Sequence, residues 1–227
     1  MSEKLRQEFN QWVHDGRSSA LESHHRSFAE DTISLMGIEP RDRILEIGCG
    51  EGWASRLLSS LVPEGLVVGL DVSDEMIRKA RAASASRENI LYVWADAESI
   101  PWQERFFSRA FSVESFYYVE KPEVALREIF RVLSPGGSVW ILNHLSRENE
   151  YTLRWIERLQ VPVHLRSAEE YGKLFASCGF EGYAFRMIPD RTPDADAEYY
   201  AWLADPADRR RFRELGGLLM TARRPDE

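Results

Sequence analysis

The sequence predicts an α/β fold, a parallel sheet with helices on its faces, preceded by a helical extension. Three observations carry this reading. From Arg43 onward, short β-branched and aliphatic runs alternate with stretches whose apolar residues recur at helical spacing, the pattern of strand and helix units. The first run, Ile44-Leu45-Glu46-Ile47, exits into Gly48-Cys49-Gly50-Glu51-Gly52, whose alternating glycines let the backbone turn sharply and approach a ligand. Behind it, Trp53, Ala54, Leu57, Leu58 and Leu61 mark a helix whose unpaired N–H groups face that turn and favour a polar or anionic ligand group.

A chain of 227 residues can bury a large core, and one domain is expected. The net charge of -8 argues against general affinity for nucleic acid or anionic membranes, because both need Lys and Arg to neutralise phosphate. A small-molecule partner is the simpler expectation. Apolar runs are short and broken by charge, so neither a signal peptide nor a membrane span is expected. Cys49 and Cys178 lack Cys-x-x-Cys spacing, which speaks against a disulfide framework and suits a reducing cytoplasm.

In chain order, Glu3 to Asp15 and Ser18 to Met36 read as amphipathic helices separated by Gly16, with Leu5, Phe9, Trp12 and Val13 on the apolar side of the first. Gly37 and Pro40 close the second, and Arg43 to Ile47 is the opening strand. Leu66 to Leu70 is the second strand, ending at Asp71, with Ser73 as N-cap and Asp74 and Glu75 complementing the dipole of the next helix. Asn89 to Ala95 is the third strand and Arg109 to Val113 the fourth; Pro122 opens a helix that Ser134-Pro135-Gly136-Gly137 stops before a fifth strand, Ser138 to Asn143. Ser146 to Leu159 reads as a helix and Val161 to Arg166 as an extended connection, together an insertion over the site. Ser167 to Glu170 is a capping box, Phe180 to Ile188 a sixth strand, Pro189 to Ala197 a turn-rich stretch and Glu198 to Leu203 an aromatic one. Asp205-Pro206 starts a basic helix, and Gly216 to Arg223 returns as the last strand.

Ligands of open α/β sheets gather at the carboxyl ends of strands, where the strand order reverses. Here those ends present Glu46 with the glycines, Asp71, Asp96 with Ala97, Glu114 with Ser115, and Asn143 with His144. So many carboxylates repel a phosphate-rich ligand, and the loop lacks the Lys-Ser/Thr ending of a nucleoside-triphosphate loop, which speaks against ATP. Asp71 also stands where a dinucleotide's ribose-binding acid would lie, but bulky Trp53 after Gly52 breaks the Gly-x-Gly-x-x-Gly spacing. An NAD-dependent oxidoreductase is therefore the lesser alternative.

Leu45-Glu46-Ile47-Gly48-Cys49-Gly50-Glu51-Gly52 resembles the first motif of the class I S-adenosylmethionine-dependent methyltransferases. Gly69-Leu70-Asp71-Val72-Ser73 with Met76 and Ala80 is similar to the second, Ala95 to Trp102 to the third, and Arg127 to Gly137 to the stretch before the fifth strand. The likeness spans residues 40 to 145 and is nearest to the small-molecule type 11 branch. It implies a Rossmann-like, doubly wound sheet of seven strands, the last antiparallel, and cytosolic methyl transfer that leaves S-adenosylhomocysteine. Carried over by position, it gives the cofactor Glu46, Gly48, Cys49, Gly50 and Gly52 at its methionine end, Asp71 and Val72 at the ribose, and Asp96, Ala97 and Met76 at the adenine. Glu114 lies where the family uses a backbone carbonyl near the methionine amine. A carboxylate accepts two hydrogen bonds from a diol, and acidic walls suit a sulfonium.

Cys49 reads as a small residue for tight packing and not as a nucleophile. His24 and His25 are adjacent on a helix, about 100° apart, and lack the spacing of a metal pair, so no metal is expected. His144 is the candidate general base, and Tyr117 and Tyr118 are candidates for the acceptor pocket. Arg209, Arg210, Arg211 and Arg213 pair within a solvated helix that also carries Asp208 and Glu214. The expected organisation is a helical cap over residues 1–40, a cofactor core over 41–145 and acceptor-side elements over 146–227. Oligomeric state is left open, and a nucleoside-binding relative without turnover is the main alternative to an enzyme.

Overall fold

β-Branched and aliphatic runs become strands where glycine or acid marks their exits, and every strand of the expected set forms. The structure is a computed structural model and describes residues 3–157, 159–191, 203 and 205–227. The strands are β1 (Arg43–Ile47), β2 (Leu66–Asp71), β3 (Ile90–Trp94), β4 (Phe107–Val113), β5 (Leu133–Asn143), β6 (Glu181–Ile188) and β7 (Gly217–Arg223). They make one seven-stranded sheet in the order β3-β2-β1-β4-β5-β7-β6. Strands β1 to β5 are parallel, and β7 lies antiparallel between β5 and β6, the arrangement implied by the resemblance. The order reverses between β1 and β4, so their carboxyl ends open a crevice.

The helices are α1 (Glu3–His14), α2 (Leu21–Leu35), α3 (Trp53–Leu61), α4 (Asp74–Ala83), α5 (Pro122–Val132), α6 (Leu153–Ile156), α7 (Ala168–Ser177) and α8 (Pro206–Leu215). Successive strand residues point to opposite faces. Ile44, Val67 and Phe111 accordingly join Phe28 and Leu58 in one core, whereas Leu45, Val68 and Ala110 join Ile129 and Phe175 in the other. A third cluster of Trp12, Val13, Met76, Tyr117, Tyr118, Leu145 and Val161 roofs the carboxyl edge of the sheet. The expected caps form: Ser73 Oγ accepts from Met76 N at 3.0 Å, Ser167 makes a capping box with Glu170, and Asp205 accepts from Ala207 N at 2.7 Å.

Three boundaries differ from expectation. The helix expected over residues 146–159 is reduced to a 3-10 turn, Glu150–Thr152, followed by α6. Asn149 takes over its start, donating to Phe212 O at 3.1 Å and Gly216 O at 2.8 Å, so tertiary bonds replace helical ones. The second helix begins later, at Leu21, because Gly16 at φ 74 leads into a 3-10 turn over Arg17–Ala20. Ser134 to Gly137 is no simple stop: β5 starts at Leu133 opposite Phe107 and bulges before Ser138 meets Arg109. The turn-rich and aromatic readings of 189–203 fall mostly on 192–202, outside the described residues. Among the described residues no helix is long and apolar enough to cross a membrane.

Candidate cofactor site

The exit of β1 is tied to β2 by backbone, since Gly48 N and Cys49 N both donate to Leu70 O, at 2.8 and 3.0 Å. Gly50 N then donates to Asp71 Oδ2 at 2.8 Å, and Ser73 N to Asp71 Oδ1 at 2.9 Å, so one carboxylate joins the glycine turn to the start of α4. Gly48 has φ 69, and a Cβ there would lie 2.3 Å from the Cβ of Ser115. Only glycine meets both the conformation and the contact.

These ends wall a cavity of about 690 Å³. Glu46, Gly48, Cys49, Gly50, Asp71, Val72, Met76, Asp96, Ala97, Glu114, Tyr117, Tyr118 and His144 all line it. Gly52 does not; at φ 76 it turns the chain into α3 and packs under Tyr92, where a Cβ would lie 2.3 Å from the phenol oxygen. Helix α1 and the turn after it supply the roof with Leu5, Phe9, Trp12, Arg17 and Ser18. Asp74 latches α1 to α4, accepting from Arg6 Nε at 2.8 Å and Asn10 Nδ2 at 3.0 Å. Glu51 makes a second latch, accepting from the Ser18 hydroxyl and pairing with Lys79 at 2.8 Å.

A family model described as a methyltransferase domain matches residues 45–141, the stretch that builds β1 to β5 and this wall. Over this stretch the chain is similar to class I S-adenosylmethionine-dependent methyltransferases. The chain is 35% identical over 122 residues to a ubiquinone/menaquinone biosynthesis C-methyltransferase UbiE of Ectopseudomonas mendocina, over 52% of this chain and 48% of that one. It is 28% identical over 187 residues to the protein of that name from Yersinia pestis, over 80% of this chain and 65% of that one. The match therefore spans half to two thirds of the length of these curated relatives. A putative methyltransferase of Haloferax volcanii, solved in complex with the Trm112 methyltransferase activator, superposes with a TM-score of 0.84 at 28% identity, over 96% of this chain and 98% of that one.

The residues of this wall fit a cofactor that carries a sulfonium, an amine and a diol, as S-adenosylmethionine does. Glu46 is 1% exposed and its Oε2 accepts from the Ser55 hydroxyl. Burial, and then Asp71 beside it, push its pKa up to about 8 against the Ser55 bond. Burial likewise raises Asp71 to about 6, although the backbone N–H groups of Ser73, Gly50 and Val72 oppose it. Among the described residues neither acid has a close cation: Arg56, which acts on Glu46 from a distance, donates to the Glu51 carbonyl at 2.8 Å and reaches Glu22 at 3.5 Å. Asp96 Oδ1 accepts from Glu98 N at 2.9 Å, and Met76 is buried on the wall. Burial, with Asp71 and Glu46 nearby, drives the Cys49 thiol up, so it stays protonated and packs.

The wall beyond Glu114 is built differently. Glu114 Oε1 accepts from the backbone N–H of His144 and lies 3.3 Å from His144 Nδ1, while Oε2 accepts from Tyr117 OH at 3.2 Å. His144 Nε2 lies 3.7 Å from Asp190 Oδ2. Burial raises the Glu114 pKa, but His144 and His25 outweigh it and the net shift is downward. Burial lowers His144, yet Glu114 and Asp190 bring it above the ordinary histidine value. The imidazole is thus held between two carboxylates and stacked on Phe28 and Phe212. His25 also lines the cavity, and burial lowers it to about 4 against the pull of Glu114. Among the described residues no group of three or more His, Cys, Asp or Glu is placed to hold a metal.

Sequence reasoning named Ser115 at a strand end but missed Ser55, the place of His25 in the cavity, Asp190 and the roof residues Arg17 and Ser18. Ser55 had a signal, being three residues past Gly52 on the helix face that meets β1. The others reach the site only through tertiary packing.

Proposed function

We propose that the chain moves a methyl group from S-adenosylmethionine to a small-molecule acceptor. One observation carries this reading: a single cavity holds both the acid wall of the strand ends and the aromatic side chains Phe9, Trp12, Tyr117, Tyr118 and Trp155. When bound, S-adenosylmethionine supplies a methyl group already activated by its sulfonium. The glycine turn and Glu46 hold its methionine end, Asp71 accepts from its ribose hydroxyls, and Asp96, Ala97 N–H and Met76 take its adenine. The aromatic side chains exclude water and hold the acceptor, so the protein's contribution is mainly positional.

Arg17 is the one Lys or Arg on the described lining, and its guanidinium is stacked 3.7 Å over the Trp12 ring. An acceptor bearing phosphate or carboxylate meets net repulsion there. An uncharged aromatic acceptor fits better, and a quinol ring, the class suggested by the names of the curated relatives, is of that kind. Helix α1 and its latches act as a lid over the cofactor. Buried, unpaired Cys49 and Cys178 suit the reducing cytoplasm, where we place the chain.

The test is calorimetry with S-adenosylhomocysteine, followed by transfer of labelled methyl to a panel containing reduced quinols, phenols and amines. Binding with no transfer to any member favours a nucleoside-binding protein without turnover; NAD competing at the same site favours the oxidoreductase. A second reading, that an activator protein binds this chain, rests on the Haloferax likeness and its length. It predicts a stable complex with Trm112 by size-exclusion chromatography, and separate elution of the two removes it.

A further inference from the structure

Among the described residues, Arg105 and Glu114 alone hold positive φ without being glycine, and Glu114, at φ 53, stands on the cavity wall. A residue with a Cβ disfavours that conformation by about tenfold. Contacts from several sides hold Glu114 there. Its backbone N–H donates to Leu142 O at 2.9 Å, its carboxylate accepts from the His144 backbone N–H and from the Tyr117 hydroxyl at 3.2 Å, and the His144 ring Nδ1 lies against it at 3.3 Å. The imidazole is itself fixed, stacked on Phe28 at 4.0 Å and Phe212 at 5.1 Å, with Asp190 3.7 Å from Nε2.

The next residue is pressed against the glycine turn. Ser115 Oγ donates to Ile47 O at 2.8 Å, the last carbonyl of β1, and leaves no room for a methyl group on Gly48. Contact thus runs without a break from His144 through Glu114 and Ser115 to Gly48.

We propose that His144 is a positioning residue: it clamps Glu114 in its left-handed conformation, which seats Ser115 on the glycine turn and keeps the cofactor site in its binding shape. The proposal rests on the assignment of that turn to S-adenosylmethionine. Freed of the clamp, Glu114 relaxes toward negative φ, Ser115 leaves Ile47, and the turn loses the support that fixes Gly48. A glycine at 114 has no such preference and makes the clamp redundant.

Glycine substitution therefore separates this role from ordinary packing. Glu114→Gly and Glu114→Ala both delete the carboxylate, and only the alanine keeps the backbone penalty. By calorimetry, Glu114→Gly binds S-adenosylhomocysteine about tenfold more tightly than Glu114→Ala. His144→Gln weakens binding several-fold beside Glu114 and has no further effect in the Glu114→Gly background. Equal affinities of the glycine and alanine variants, or the same His144→Gln loss in both backgrounds, overturn the proposal. Melting temperatures without ligand rank Glu114→Gly above Glu114→Ala, and the reverse order overturns the clamp whatever the ligand does. Failure of the wild type to bind S-adenosylhomocysteine is a different result: it removes the cofactor assignment, and the melting order still decides the clamp.

Discussion

The two walls of the cavity treat buried acids in opposite ways. On the β1 and β2 side, Glu46 and Asp71 are buried side by side without a close cation among the described residues, and their pKa values rise. On the β4 and β5 side, Glu114 is just as buried, yet His144 lies against it and its pKa falls. A buried carboxylate must be paired or protonated. The first wall is thus short of positive charge and suited to a cationic ligand, whereas the second is charge-compensated from within and serves as scaffold.

The largest effect comes from uncoupling the second wall. His144→Ala leaves Glu114 and Asp190 buried without their shared imidazole, and should destabilise the fold by about 3 kcal/mol or more in urea titration. Stability near that of the wild type would mean that the two walls do not differ as described. Gly48→Ala strikes the junction of the walls, where a Cβ meets Ser115 at a left-handed φ. It should cost about 2 kcal/mol and greatly weaken S-adenosylhomocysteine binding, read by denaturation and calorimetry.

The pH dependence sharpens the contrast. Glu46 binds its proton more tightly folded than unfolded, so the stability it contributes is complete below 4.5 and is lost as pH rises toward about 8. Glu114 works in reverse, its contribution being lost as pH falls through its depressed pKa. Glu46→Gln should therefore gain on the wild type by on the order of 1 kcal/mol per pH unit between about pH 5 and pH 8, measured from urea midpoints. A constant difference across that range would show that Glu46 is charged in the free protein. The smallest effect is at α1: Arg6→Ala breaks a partly exposed ion pair with Asp74, leaves stability nearly unchanged, and should speed release of S-adenosylhomocysteine a few-fold in stopped flow.

The first wall was legible in the sequence and most of the second was not. Glu46, Gly48, Gly50, Asp71 and Asp96 sit at strand exits, so the local pattern that ends a strand also names the residue facing the cavity. His144 could be placed at a strand end in the same way, but its protonation depends on Asp190, which is 46 residues further on, and on Glu114. His25 comes from a helix outside the repeating strand and helix units, with nothing in its own neighbourhood to send it into the cavity. The helix expected over 146–159 shrank for the same kind of reason, since Asn149 is held by the far end of α8.

Calorimetry of S-adenosylhomocysteine with the wild type and with Asp71→Ala tests the first wall most directly. Saturable one-to-one binding by the wild type, weakened about a hundredfold or more by Asp71→Ala, is the predicted result. No binding by the wild type, or equal binding by both, would contradict the assignment of that wall to the cofactor.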